Sequence, residues 1–256
     1  MKDIIIAGYG FVGKAVARAL NHHVNISLVD PRYTNHVVDD FPDADGVIIC
    51  VSTPTLADGT CDISQIRAVL DTVPVRMPVL IKSTALPDQF NQLVKDYPDH
   101  DICYSPEFLR AASAYDDFEN QKYMIFGGTH SHKWFDLFKT VLPKCKAPYF
   151  CTISEAATIK YSINTFLATK VAFFNQIYDV CMANGSNFET VRSLVALDPR
   201  IGESHTHVPG PDGNRGFGGM CFPKDTKSFV KYSTDLNTPA TLVDAAIEYN
   251  KLVQKP

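Results

Sequence analysis

The chain has 256 residues, 45% hydrophobic and 20% charged, with 14 Gly and 16 Pro dispersed along it. A chain of this length buries roughly 70–75% of the surface its unfolded form exposes, so the composition excludes a disordered or fibrous protein and allows one large domain or two unequal ones. A net charge of -4 with no run of Lys or Arg excludes a general attraction to nucleic acid, and no stretch approaches 18 uninterrupted apolar residues, so no membrane span is expected.

The first seven residues place Asp3 beside Lys2 and hold a run of only four apolar residues before Gly8, too few for a secretory signal core, which predicts a cytoplasmic protein. Short apolar runs at residues 4–7, 26–29, 46–51, 79–81, 102–104, 123–126 and 148–151 predict strands, several of them continuous rather than alternating, as in a sheet covered on both faces. Helical stretches such as 12–20 and 63–70 lie between them. That order predicts an α/β fold with a doubly wound parallel sheet over residues 1–152.

Residues 153–256 have a different texture and predict a smaller, all-helical domain. From 154 to 183 there is no Gly or Pro and apolar residues surround the helical wheel, which predicts a long, largely buried central helix. Asn184-Gly185 stops it, and Ser186 with Glu189 forms a capping box for a helix running to about Leu197. Residues 202–219 hold six glycines and two prolines, which predicts a mobile loop, and residues 240–253 predict a closing helix. The seven cysteines, odd in number and without a C-x-x-C pair, argue against a disulfide framework or a zinc site.

Four segments carry chemistry. Gly8-Tyr9-Gly10-Phe11-Val12-Gly13 follows the first strand and opens a helix, the arrangement in which glycines let a backbone approach a pyrophosphate at a helix N-terminus. The second strand ends at Asp30, 20 residues beyond Gly10, where a carboxylate accepts hydrogen bonds from an adenosine ribose and repels a 2'-phosphate. A Rossmann-type domain that binds NAD rather than NADP is therefore expected, a preference that Arg32 softens. In the second segment the glycine-rich stretch 216–219 runs into Cys221, and Pro223 suits the first turn of a helix. A helix N-terminus and the nearby Lys224 both favour a thiolate, and Asp225 lies one turn on.

Lys160 and Asn164 form the third segment, sharing one face of the long helix at i, i+4. An ammonium among apolar residues needs a partner or a catalytic task, and a lysine snorkelling to solvent explains the same pattern equally well. The fourth comprises two strand ends, Lys82-Ser83-Thr84 and Ser105 to Arg110, where ligands of open parallel sheets bind. His130/His132 and His205/His207 lack further ligands at zinc spacing, so no metal is expected.

Together the stretches GYGFVG, ICVSTPTLADGTCDIS, KSTALP, SPEFLR, KYSINTFLATKVAFFN, DPRIG and GFGGMCFPKDTK resemble the UDP-glucose/GDP-mannose dehydrogenase family, with DPRIG and Phe222 nearer its UDP-glucose branch. The resemblance implies NAD-dependent oxidation of a nucleotide sugar, in two hydride transfers through a covalent intermediate on Cys221. It assigns Lys160 and Asn164 to the developing oxyanion, and Asp225, Glu107 and Thr84 to water and proton handling. It adds cofactor contacts from Thr53, Pro54, Ser83, Thr84 and Lys224 to those of residues 8–13, Asp30 and Arg32. Substrate contacts are implied from Glu107, Phe108, Leu109, Arg110, Lys160, Asn164, Phe217, Gly218 and Gly219. Arg200 matches an arginine that reaches a neighbouring subunit, which implies a homodimer. Where the family usually continues SPEFLR with Glu-Gly, this chain has Ala111-Ala112, so a second carboxylate is missing. The resemblance also implies a short form without the family's C-terminal UDP-binding domain. A two-electron hydroxyacid dehydrogenase and a nucleotide-binding protein without turnover are the alternative expectations.

Overall fold

The computed structural model describes residues 2–110, 113–142, 144–145 and 147–254, so Ala111-Ala112 lie outside the described residues. The chain forms two compact units, Met1–Pro54 with Cys61–Lys160, and Thr55–Thr60 with Tyr161–Pro256.

In the first unit β1 (Asp3–Ala7), β2 (Asn25–Val29), β3 (Gly46–Ile49), β4 (Pro78–Ile81), β5 (Asp101–Tyr104), β6 (Tyr123–Gly128) and β7 (Ala147–Cys151) form one sheet in the order 2-1-3-4-5-6-7. Helices α1 (Phe11–Leu20), α2 (Ser64–Leu70), α3 (Pro87–Asp96), α4 (Ala114–Glu119) and α5 (Ser131–Phe138) connect the strands. Side chains alternate between two buried clusters: Ile5, Val47, Ile49, Val79 and Ile81 meet Ile66, Leu70, Phe90 and Leu93, whereas Ile4, Ile6, Ile48 and Leu80 meet Val16, Leu20, Trp134 and Phe138. Each such fully buried side chain contributes about 1.5–3 kcal/mol, and coverage of both faces explains why the strands read as continuous apolar runs.

The sheet is mostly parallel, as expected, with one antiparallel join. β5 and β6 are antiparallel, pairing Cys103 with Gly128 and Tyr104 with Gly127, and β7 then runs parallel to β6. A strand covered on both faces has the same apolar run whichever way it points, so its direction is not encoded there. The antiparallel join needs a close approach: a Cβ on Gly128, whose φ is +105°, would lie 2.5 Å from the Ile102 carbonyl oxygen.

The second unit is helical, as expected. It holds most of the 32-residue α6 (Ile153–Asn184), then α7 (Phe188–Ala196), α8 (Phe222–Asp235) and α9 (Thr241–Val253). α7 is capped one residue later than expected: the Asn187 side chain accepts the Thr190 N–H at 2.9 Å, while Glu189 turns to Arg192. Asn is as good a cap as Ser, and the neighbour with the better reach takes the position. α6 is less buried than its composition suggests, because Phe166, Phe173 and Val180, seven residues apart, are 65%, 52% and 52% exposed.

Residues 202–219 are irregular but tethered at their C-terminal end. Phe217 is buried, its N–H donates to Asn250 Oδ1 at 2.7 Å and its carbonyl accepts from Asn250 Nδ2 and Gln254 Nε2, each at 2.9 Å. Gly216 N–H donates to Asn175 Oδ1 at 3.1 Å. The chain therefore enters α8 from an anchored position, not from the loose loop that its glycine content predicts. Among the described residues no helix is long and apolar enough to cross a membrane.

Candidate active site

The glycine loop joins β1 to α1, with Gly10 as the N-cap. Gly8 has φ +91°, and a Cβ there would lie 2.7 Å from the Cys50 and Val51 backbone; a Cβ on Gly13 would overlap the Gly8 carbonyl oxygen. Tyr9, Phe11 and Val12 are half-buried around the turn. Gly10 has open space on its Cβ side. The loop is thus compact where it meets the sheet and open where a pyrophosphate would approach the helix N-terminus, which fits a dinucleotide.

Asp30 lies just past β2 and is 4% exposed. Its carboxylate accepts the Tyr9 N–H at 2.7 Å, the Arg32 N–H at 3.0 Å and the Arg32 guanidinium at 3.1 and 3.2 Å. These bonds, the Arg32 side chain foremost, pull its pKa down to about 2. The expected ribose acceptor is ionised, with its guanidinium partner two residues away. Thr53 Oγ donates to the Thr84 carbonyl and Ser83 Oγ to the Val51 carbonyl, both at 2.7 Å. These hydroxyls tie together the segments after β3 and β4. Thr84 is buried and Pro54 is exposed.

Beside these strand ends the first unit gathers a charged cluster. Lys160 is 2% exposed; its ammonium donates to the Glu107 carbonyl and, at 3.1 Å, to Glu107 Oε1. It also lies 5.2 Å from the centre of the Phe108 ring. The snorkelling alternative is therefore excluded. Glu107 Oε2 accepts the Leu109 N–H at 2.8 Å. Arg110 points elsewhere, bonding Asp117 through Nε at 3.0 Å and Nη2 at 2.5 Å.

Lys82, which the sequence placed at a strand end without assigning it a role, belongs to the same cluster. It is 2% exposed and donates to the Ser105 carbonyl at 3.0 Å and hydroxyl at 3.3 Å. Burial pulls its pKa down to about 8. The available signal was a lysine directly after the apolar run Val79-Leu80-Ile81.

The second unit holds the cysteine. Cys221 is the N-cap of α8, half-buried, with Pro223 in the first turn. Asp225 is 1% exposed; its N–H donates to the Cys221 carbonyl at 2.8 Å, closing the first turn beneath the cysteine. Its carboxylate accepts from Asn164 Nδ2 at 2.5 Å and from the Lys224 ammonium at 2.6 Å. Phe217 is buried, Gly218 half-buried and Gly219 exposed. Arg200 is on the surface, paired with Asp198 at 2.6 Å. All seven cysteines are free thiols; burial raises those of Cys50 and Cys103 to about 12, which makes them unreactive. No group of three His, Cys, Asp or Glu suited to a metal ion occurs among the described residues.

Residues 30–142 match the NAD-binding domain of the UDP-glucose/GDP-mannose dehydrogenase family, and residues 154–252 its central domain. The chain belongs to this family. A UDP-glucose 6-dehydrogenase of Bacillus subtilis is 31% identical over 242 residues, covering 89% of this chain and 51% of that protein. One from Rhizobium meliloti is 29% identical over 249 residues, covering 90% and 56%. This family member thus spans about half the length of the curated relatives it matches. A UDP-glucose dehydrogenase structure from Pyrobaculum islandicum superimposes with a TM-score of 0.85 at 25% identity, over 98% of this chain and 68% of that one. A UDP-D-ManNAc dehydrogenase of Pyrococcus horikoshii, 20% identical, shares the fold with a TM-score of 0.81, over 97% of this chain and 68% of that one.

Proposed function

We propose that the chain carries out NAD-dependent oxidation of a nucleotide sugar at a primary alcohol, UDP-glucose to UDP-glucuronate, through a covalent intermediate on Cys221. The observation that carries this is the position of Cys221 at the N-cap of α8, one turn from a buried carboxylate held by Asn164 and Lys224. The relatives' names support the UDP-sugar class, and their 28–31% identity leaves the sugar a proposal.

When bound, NAD would supply the hydride acceptor for both oxidations. It would be held by residues 8–13, Asp30, Arg32, Thr53, Pro54, Ser83, Thr84 and Lys224. The first oxidation turns the alcohol into an aldehyde, its hydroxyl proton passing to a carboxylate or an ordered water. The Cys221 thiolate then adds to the aldehyde carbon, forming a C–S bond and an alkoxide. Loss of hydride from that carbon gives a thioester. Water adds to the thioester, the C–S bond breaks, and the acid leaves with the thiolate restored.

Lys160 and Asn164 stabilise the negative oxygen at the addition stages, each such contact being worth about 3–4 kcal/mol. Glu107, Thr84 and Asp225 handle the proton and the attacking water. Phe108, Leu109, Arg110, Phe217, Gly218 and Gly219 contact the sugar nucleotide, and Arg200 reaches a second subunit. The exposed Phe166, Phe173 and Val180 stripe supports a homodimer, since large exposed apolar surfaces mark association sites. Seven free thiols suit the reducing cytoplasm.

With NAD and UDP-glucose, wild-type protein should release UDP-glucuronate and Cys221→Ser should stop before the acid. Acid release by Cys221→Ser at the wild-type rate overturns the covalent route.

A further inference from the structure

Two asparagines lie on apolar helix faces of the second unit. On α9 the buried Val243, Ala246 and Ile247 are followed by Asn250, 6% exposed, and on α6 Ala168 and Ala172 are followed by Asn175, 1% exposed. The spacings i, i+3, i+4, i+7 and i, i+4, i+7 put each amide in the stripe that faces the core. A Leu at either position would pack there without desolvating an amide, so each asparagine is explained by what it bonds.

Both bond the segment that leads to Cys221. Asn250 holds Phe217 by both of its backbone groups: Oδ1 accepts the N–H at 2.7 Å and Nδ2 donates to the carbonyl at 2.9 Å. Asn175 Oδ1 accepts the Gly216 N–H at 3.1 Å and Arg215 Nε at 3.3 Å. Arg215 also pairs with Asp179 at 2.7 Å, and Asp179 accepts the Tyr249 hydroxyl at 2.5 Å. The segment is shaped for the contact, since Gly216 has φ +76° and a Cβ there would overlap Asn250 Oδ1. Beyond Phe217 the support thins. Gly219 and Met220 are exposed, and nothing lies within 4 Å of the Gly219 Cβ position. Only Gly218, Gly219 and Met220 separate the clamped Phe217 from Cys221 at the N-cap of α8.

We propose that Asn250 is a positioning residue for sugar binding: its amide pins both backbone groups of Phe217, so that Gly218 and Gly219 meet the sugar nucleotide from a fixed start and present it to Cys221. This rests on the substrate contacts and the nucleophile proposed above. So short a span has no slack to absorb a displaced end. A loosened Phe217 carries Gly218 and Gly219 with it, whereas Cys221 keeps its place at the head of α8. Losing the amide therefore weakens the hold on the sugar before it slows the chemistry.

The test uses the full chain as wild type, Asn250→Ala, Asn250→Asp and Gly216→Ala. Initial rates of NADH formation are measured against NAD and against whichever of UDP-glucose, UDP-ManNAc and GDP-mannose the wild type oxidises, with urea unfolding in parallel. Asn250→Ala should raise the sugar KM about tenfold and leave kcat and the NAD KM within about twofold. Gly216→Ala, whose Cβ drives the amide off Phe217, should show the same split. Asn250→Asp keeps the size and the acceptor for the Phe217 N–H, and Gln254 still donates to the carbonyl, so its sugar KM should fall between wild type and Asn250→Ala. A merely structural asparagine would lower the urea midpoint and leave the sugar KM of the folded enzyme in place. An unchanged sugar KM in the variants that fold overturns the proposal, as does a rise shared equally by the sugar and NAD. A wild type that forms NADH from none of the three sugars overturns the reaction assigned to the site, and the proposal with it.

Discussion

Replacing Glu107 by Gln removes one charge from a site that buries three. Lys160, 2% exposed, is then left without the carboxylate that it bonds. Breaking a buried pair by removing one partner costs about 3–5 kcal/mol. The Glu107 carbonyl still accepts from the Lys160 ammonium, which puts the expected loss at the lower end, about 3 kcal/mol. Urea unfolding at pH 7 without ligands measures it. Trp134, the one tryptophan of the chain, is fully buried in the first unit, so its fluorescence reports the unit that holds the cluster. At roughly 2–4 °C per kcal/mol for a chain of this size, the melting temperature should fall by about 6–12 °C. Adding Lys160→Met should recover most of that loss, because the stranded cation leaves with it. A cost below about 0.5 kcal/mol, the range of an ordinary surface substitution, would refute the buried pair. So would a double variant no more stable than Glu107→Gln alone.

Gly128→Ala should destabilise the first unit by about 1–3 kcal/mol in thermal melting, because its Cβ meets the Ile102 carbonyl and its φ is +105°. Asp30→Asn should weaken NAD binding at least about tenfold in titration calorimetry, since a charged acceptor bond is worth about 1.5–3 kcal/mol. The Lys82 pKa is about 8 when folded against an ordinary 10.5, so between these values the unfolded chain binds more protons. Stability should therefore rise with pH across that window, recovering up to about 3 kcal/mol, and the cost is fully present below pH 8. Urea midpoints of wild type relative to Lys82→Met, from pH 7 to 10.5, check it; no relative gain would contradict the burial of a charged lysine.

Local patterns carried the sheet and the cofactor loop well. Seven apolar runs became seven strands, the central ones covered on both faces, and Asp30 fell at the end of β2 as the spacing from Gly10 required. The reversed direction of β6 was invisible, since covering both faces of a strand erases the alternation that might orient it. The ion pairs were invisible for another reason: Lys160 meets Glu107 from 53 positions away and Asn164 meets Asp225 from 61. Helical spacing places such side chains on a face without saying what lies opposite. Hence Lys160 read equally as a snorkelling lysine, and Lys82 was named only as part of a strand end, without a partner. The exposed Phe166, Phe173 and Val180 show the converse: an apolar wheel says what a side chain dislikes, not which surface covers it.

Cys221 at the start of α8 carries the central claim, and the stoichiometry of NADH to sugar tests it most directly. With limiting UDP-glucose and excess NAD, the covalent route predicts two NADH for each sugar consumed, with UDP-glucuronate as the product. One NADH per sugar with a released aldehyde or ketone would contradict it.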